Sequence, residues 1–248
     1  MRAGDPQLLT FIRSALKPFQ AMVFVSSGAA DHCGSGDHGL AIACASHAGT
    51  ANHAREAFRV LWGAELDPSL LQCPVPQGAS SPLEHNCSGK HAAFLASCRQ
   101  LHWPLETYLQ PDHPLQQEVR KRVGELLGLP ADELVMARDD CGAPTLLLQL
   151  AQMALLQAHL GGGELPELER LCRAMLAHPE LVAGEGRFDT EVMRLGHQQV
   201  VSKGGAEGIQ CLSRVGEGLG MAIKVEDGSS RAKHAVALHL LKIGRAHV

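Results

Sequence analysis

Aromatic residues make up only 4% of the 248-residue chain, with a single tyrosine. A core short of rings has to be built from Leu, Ala, Val and other small side chains, which favours closely packed helices. No run approaches the roughly 18 apolar residues of a membrane span, and the N-terminus lacks a basic start followed by an apolar stretch. A membrane-spanning segment and a secretory leader are therefore not expected, and the expected compartment is cytoplasmic. Basic clusters are also scarce. The longest is Arg120-Lys121-Arg122 and the formal net charge is -4, which argues against nucleic acid or an anionic membrane as partner and leaves a small polar substrate. The eight cysteines form no C-x-x-C pair and are scattered, so reduced thiols are expected rather than a disulfide framework. Neither an H-x-x-x-H nor an H-E-x-x-H signature is present, and there is no internal repeat.

What is present divides into helical stretches and one strand-rich region. Residues 36–61 suggest a helical region, although Leu40-Ala41-Ile42-Ala43 also suits a strand. Four prolines at 68, 74, 76 and 82 make 66–86 irregular. Apolar spacing predicts helices over 91–100, 116–127 with Gly128 as its stop, 145–160, 166–177 and 229–241. Between the last two, 198–203, 208–214 and 220–225 are short runs separated by glycines, which predicts an antiparallel meander. Helices around a sheet in one α+β domain is the economical reading.

Several short patterns carry chemistry. In Arg13-Ser14-Ala15-Leu16-Lys17 the lysine lies one helical turn beyond the serine, and Pro18 confines Ser14 to a helix N-terminus. A lysine kept neutral by burial or by a second cation can take a serine proton. Alone, such a tetrad is most often a capping serine and a solvated lysine. Ser202-Lys203-Gly204-Gly205 strengthens it, because acyl-serine enzymes of the penicillin-recognising kind face their S-x-x-K helix with a Lys-x-Gly strand. Ser46 and His47 sit among small residues and by themselves read as structural. Asn86-Cys87-Ser88-Gly89-Lys90-His91 and Asp139-Asp140-Cys141-Gly142 are the metal candidates, since thiolates suit zinc. Coordination chemistry alone nominates His91 over Lys90 as the neighbouring ligand, because an amine must first lose its proton.

Taken in order, these segments resemble the thermolabile asparaginase family, also called the asparaginase II family. The likeness runs through Gly4-Asp5-Pro6, Arg13-Ser14-x-x-Lys17-Pro18, Ala43-Cys44-Ala45-Ser46-His47, Asn86 to Ala92, Asp139-x-Cys141-Gly142, Arg187-Phe188-Asp189-Thr190, Lys203 to Gly208 and Lys224-x-x-Asp227-Gly228. The resemblance implies a serine β-lactamase-like fold shared with glutaminases, mainly antiparallel sheet flanked by helices. It implies two Ser-Lys tandems, Ser14 with Lys17 and Ser46 with Lys203, with Ser14 as nucleophile and Lys17 as its base. It also implies zinc held by Cys87, Lys90 and Cys141, so Lys90 replaces His91, with the metal tuning substrate affinity. Arg13, His47, Asp139, Gly204 and Gly205 are expected around the substrate, L-asparagine. A homodimer is allowed.

The chain departs from the family's pattern at three places. It starts three residues before the Gly-Asp-Pro turn, so edge strands of the sheet are expected to be missing. Asp140 stands where the family usually has Gly, a substitution expected to load the backbone. Residues 243–248 read as one translated frame of a common sequencing adapter, so the domain is expected over 1–242, incomplete at both ends and followed by a foreign tail. The competing expectations are a glutaminase or other acyl-serine amidohydrolase, and an inactive fragment that binds zinc or asparagine.

Overall fold

The computed structural model describes residues 2–243; the expected foreign tail, apart from Ile243, lies outside the described residues. The fold is α+β, but the strands form two sheets rather than one. β1 (Leu9–Phe11), β2 (Met136–Arg138) and β3 (Pro144–Gln149) pair antiparallel in the order β1-β3-β2. β4 (Val200–Gly204), β5 (Ile209–Arg214) and β6 (Leu219–Lys224) form the meander expected from their glycine-separated runs.

A 3-10 turn, Arg13–Leu16, runs directly into the short helices α1 (Lys17–Gln20), α2 (Met22–Ser26) and α3 (Ala29–His32). α4 (Gly36–Ala43) and α5 (Ala51–Gly63) follow, so Leu40–Ala43 is helical and the region 36–61 is broken by the link 44–50 that carries Ser46. The remaining helices are α6 (Ser88–Gln100), α7 (Pro114–Leu127), α8 (Leu150–Gly162), α9 (Pro166–Ala177), α10 (Pro179–Val182), α11 (Phe188–Leu195) and α12 (Ser230–Ile243). Gly128 ends α7 with φ +66°, the left-handed conformation that glycine adopts without a Cβ penalty. Among the described residues no helix is long and apolar enough to cross a membrane.

Residues 145–160 are not a single helix: β3 occupies Pro144–Gln149, and a reciprocal Gln149–Gln152 cap starts α8. β3 lies between two neighbours and is largely buried, so it has no polar face to alternate with and reads as a continuous apolar run.

Side-chain alternation along the meander sorts the two faces of the second sheet. Val200 and Leu212 pack with Val192 of α11 and Ala237 of α12 in a small apolar cluster. Val201, Ile209 and Cys211 face the main core, where Ile12, Phe19, Ile42 and Phe94 are fully buried. Lys203 lies opposite Cys211 in the register, so it points into the helical body, while Ser202 and Gly204 point toward α11. That parity places a lysine in the interior.

Candidate active site

Ser46 lies on the irregular link between α4 and α5, where its backbone is tied on three sides. Its N–H donates to the Val182 carbonyl at 2.8 Å, the next N–H, of His47, donates to the Asn86 carbonyl at 3.2 Å, and its own carbonyl accepts from Arg187 Nη1 at 3.4 Å. The side chain meets two amines. Lys17 Nζ is 2.9 Å and Lys203 Nζ 2.8 Å from Ser46 Oγ. Lys17 reaches the site from α1 and also donates to the carbonyls of Ala45 and Asn86. Lys203 comes from β4 and also donates to the Gly204 carbonyl at 2.8 Å.

Both lysines are buried, with exposures of 1% and 0%. Two ammonium groups on one hydroxyl, away from water, repel each other and lose hydration. Burial, reinforced by the charge of Lys17, pushes the Lys203 ammonium down from the ordinary lysine value to about 8, against the opposing pull of Asp189. Roughly a tenth of Lys203 is then neutral at pH 7, enough to serve as a proton acceptor.

The expected contact between Lys17 and Ser14 is not formed. The two residues do share one side of the 3-10 turn, where positions i and i+3 eclipse, but the amine extends past Ser14 to Ser46. Ser14 is half-buried and its hydroxyl makes no hydrogen bond among the described residues. The residue before it, Arg13, has φ +52°, a conformation that L-residues adopt at a cost. Its guanidinium is held by three carboxylates: Asp139 Oδ1 at 2.7 Å from Nε, Asp140 Oδ2 at 2.7 Å from Nη2, and Glu207 against Nη1. Arg13 and Asp139 are therefore paired with each other. Asp140 is not in the left-handed region, so the expected backbone strain at this position is absent; Gly142, with φ +87°, makes the turn.

His47 is buried with both ring nitrogens engaged. Nδ1 accepts from the Gly49 N–H at 3.1 Å, so Nε2 carries the proton and donates to Ser88 Oγ at 2.9 Å. The ring stacks on His53 at 4.9 Å, and burial followed by the His53 and Lys17 charges keeps it neutral, well below the ordinary histidine value. It braces the link that carries Ser46. Gly205 lets the end of β4 close on the 3-10 turn: a Cβ there would lie 3.0 Å from the Ile12 carbonyl oxygen. At Gly204 a Cβ would come within 3.2 Å of Gln210 and 3.3 Å of Asp189.

Beside this cluster, Cys87 at the entrance of α6, Lys90 one turn on, and Cys141 from the β2–β3 loop come together. Lys90 Nζ is 3.1 Å from Cys141 Sγ, and Cys87 Sγ lies 3.1 Å from Asn86 Oδ1. The neighbouring Cys141 thiol holds Cys87 well below the ordinary thiol value in spite of burial, with help from the charges of Lys17 and Lys90. Cys141, beside Cys87 and buried, is raised. His91 turns Nδ1 instead to the Tyr108 hydroxyl at 2.7 Å. Among the described residues no group of three or more His, Cys, Asp and Glu side chains is arranged to hold a metal; a trio of two thiols and an amine is of a different kind.

Comparison with known proteins decides the family. The family model described as L-asparaginase II matches residues 1–246. The chain belongs to the L-asparaginase II family. No curated protein matches it.

In this L-asparaginase II family member the structure adds residues to which the motifs assigned no role. Asp189 accepts from Ser202 Oγ at 2.6 Å, the Gly204 N–H at 2.8 Å and Gln210 Nε2 at 2.8 Å. Glu207 joins the β4–β5 loop to Arg13. Both lie in segments that carry the family likeness, Arg187-Phe188-Asp189-Thr190 and Lys203 to Gly208. Only the tertiary fold shows what they touch.

Proposed function

We propose that this chain hydrolyses the side-chain amide of L-asparagine to L-aspartate and ammonia through an acyl-serine intermediate, on a serine β-lactamase-like arrangement of sheet and helices. The observation that carries the reading is the Ser46 hydroxyl held between Lys17 and Lys203. Ser14 is the nucleophile. Among the described residues its hydroxyl has no hydrogen-bond partner, and it is half open, so a substrate carbonyl can approach it. Ser46 carries protons: it can give one to neutral Lys203 and accept a hydrogen bond from Lys17, linking the two amines.

Attack by Ser14 on the side-chain carbonyl forms the C–O bond; as its proton moves to Lys17, Lys17 gives one to Ser46 and Ser46 gives one to neutral Lys203, and the relay runs back to protonate the departing nitrogen. The C–N bond then breaks and ammonia leaves. Water, deprotonated by the same relay, adds to the aspartyl ester and restores the Ser14 hydroxyl. The donor set of Cys87, Lys90 and Cys141 suits zinc, with one thiol already acidified by the other and a buried amine alongside. Bound there, the ion would supply a fixed positive charge that tunes substrate affinity.

A second reading makes Ser46 the nucleophile, favoured by its direct contact with both amines. Quenching turnover in acid and mapping the acyl group by peptide mass spectrometry separates the two, alongside ammonia release by Ser14→Ala and Ser46→Ala. The adduct is expected on the peptide containing Ser14, with both variants reduced by at least about a thousandfold. An adduct at Ser46 would transfer the nucleophile's role to it. Wild-type protein that binds asparagine but releases no ammonia would remove the hydrolase reading altogether.

A further inference from the structure

The Arg187-Phe188-Asp189-Thr190 segment takes no part in the chemistry above, yet it touches both sides of the Ser46–Lys203 pair. Arg187, immediately before α11, donates to the Ser46 carbonyl at 3.4 Å. Thr190 Oγ1 lies 2.7 Å from the Gly184 carbonyl and 2.9 Å from that of Pro179, which fixes the first turn of α11 against α10 and the loop between them. Phe188 stacks on His234 of α12 at 4.0 Å. Asp189 faces β4 and is partly buried. Its two oxygens accept the Ser202 hydroxyl, the Gly204 N–H and the Gln210 amide, so the residues on either side of Lys203 are both fastened to one carboxylate.

We infer that Asp189 is the positioning residue of the Ser46–Lys203 pair: its carboxylate fixes the strand on both sides of Lys203 and so sets how that amine meets the Ser46 hydroxyl. The inference deepens, and rests on, the amide-hydrolase reading. Strand parity explains the division of labour. Ser202 and Gly204 point toward α11 while Lys203 points the other way, so a carboxylate under the strand can hold the backbone without forming an ion pair with the amine that would keep it permanently charged.

The charge of Asp189 still reaches Lys203 through the strand. Burial works to raise the Asp189 carboxyl, but Lys203 and the three hydrogen bonds hold it below its ordinary value. The charges that act on Lys203 come from Lys17 at the start of α1, Asp189 of α11 through the strand, Cys44 at the end of α4 and Cys87 at the entrance of α6. Cys211 on β5 lies opposite Lys203, and Lys233 of α12 faces Asp189 while donating to the carbonyls of Gly205 and Ile209. Of the charges that act on Lys203, Lys17 lowers its proton affinity and Asp189 raises it. Neutralising Asp189 therefore moves the Lys203 inflection downward.

The test is a pH titration of the full chain labelled at lysine Cε with carbon-13, with the Lys203 signal assigned by its loss in Lys203→Arg. The wild-type inflection is expected near 8. Asp189→Asn should lower it by about one unit and reduce the plateau kcat about tenfold, and Asp189→Glu should restore the inflection. An unmoved inflection in Asp189→Asn, with only thermal stability lost, would overturn the inference. Should the Asn variant fail to fold, the Gly204 amide of the wild type decides: strong protection from hydrogen exchange is expected, and free exchange would overturn the proposal. The titration is read without turnover, so a chain that releases no ammonia would remove the hydrolase reading and leave the positioning question decided on its own.

Discussion

Burial and the charge of Lys17 together prepare Lys203 to act as a base. Lys203 is enclosed and carries a second ammonium beside the same hydroxyl, which lowers the free energy needed to release its proton. A base works only when neutral, so the sign follows directly: below about 8 the amine is loaded and inactive, above it the amine is free. kcat/KM for asparagine should therefore rise about tenfold per pH unit below the inflection and level off above about 8, as ammonia release across pH 6 to 9 would show. Lys203→Arg keeps a cation but no accessible neutral form, so its activity should be lost across the whole range. A wild-type profile flat through this window would mean that Lys203 is not the proton acceptor.

Element-scale packing explains which parts of the fold were legible in the sequence. The meander was readable because glycines punctuate short β-branched runs, and α9 because apolar spacing and flanking prolines agree on its ends. β3 was not, because Thr145-Leu146-Leu147-Leu148 in a central strand has the composition of a helix and its strand character comes from β1 and β2 on either side. The serine–lysine tandem was half legible. Spacing places Ser14 and Lys17 on one side of a turn, but a lysine's four-carbon stem can reach past its neighbour, and only the position of the 44–50 link shows that it meets Ser46. The motif glycines hide a packing demand. A Cβ at Gly89 would lie 2.1 Å from the Ile42 carbonyl oxygen, so α6 and α4 touch at backbone distance there. Gly89→Ala should separate them and cost about 1–3 kcal/mol, a fall in Tm of roughly 2–12 °C by calorimetry. Gly162→Ala, with nothing within 4 Å of the new methyl, should leave Tm unchanged or slightly raised.

At the scale of the whole molecule, the thiol pair has a property that neither cysteine has alone. Cys87 opens α6 and Cys141 lies 54 positions later on the β2–β3 loop, so their meeting requires the native packing of that loop against α6. A ligand that needs both thiols binds the folded chain far better than the unfolded one, and mass action then couples binding to stability. Zinc at about a hundred times its dissociation constant should add about 2.7 kcal/mol, which for a chain of this length is a rise in Tm of roughly 5–10 °C. Cys141→Ala removes the second thiol and should abolish the rise. His91→Ala is the informative control, since His91 is adjacent to Lys90 but turned to Tyr108: it should lower the baseline stability through the lost hydrogen bond and keep the zinc-dependent increment. If the increment instead survives Cys141→Ala and disappears with His91→Ala, the metal is held by the imidazole and the two thiols take no part in binding it.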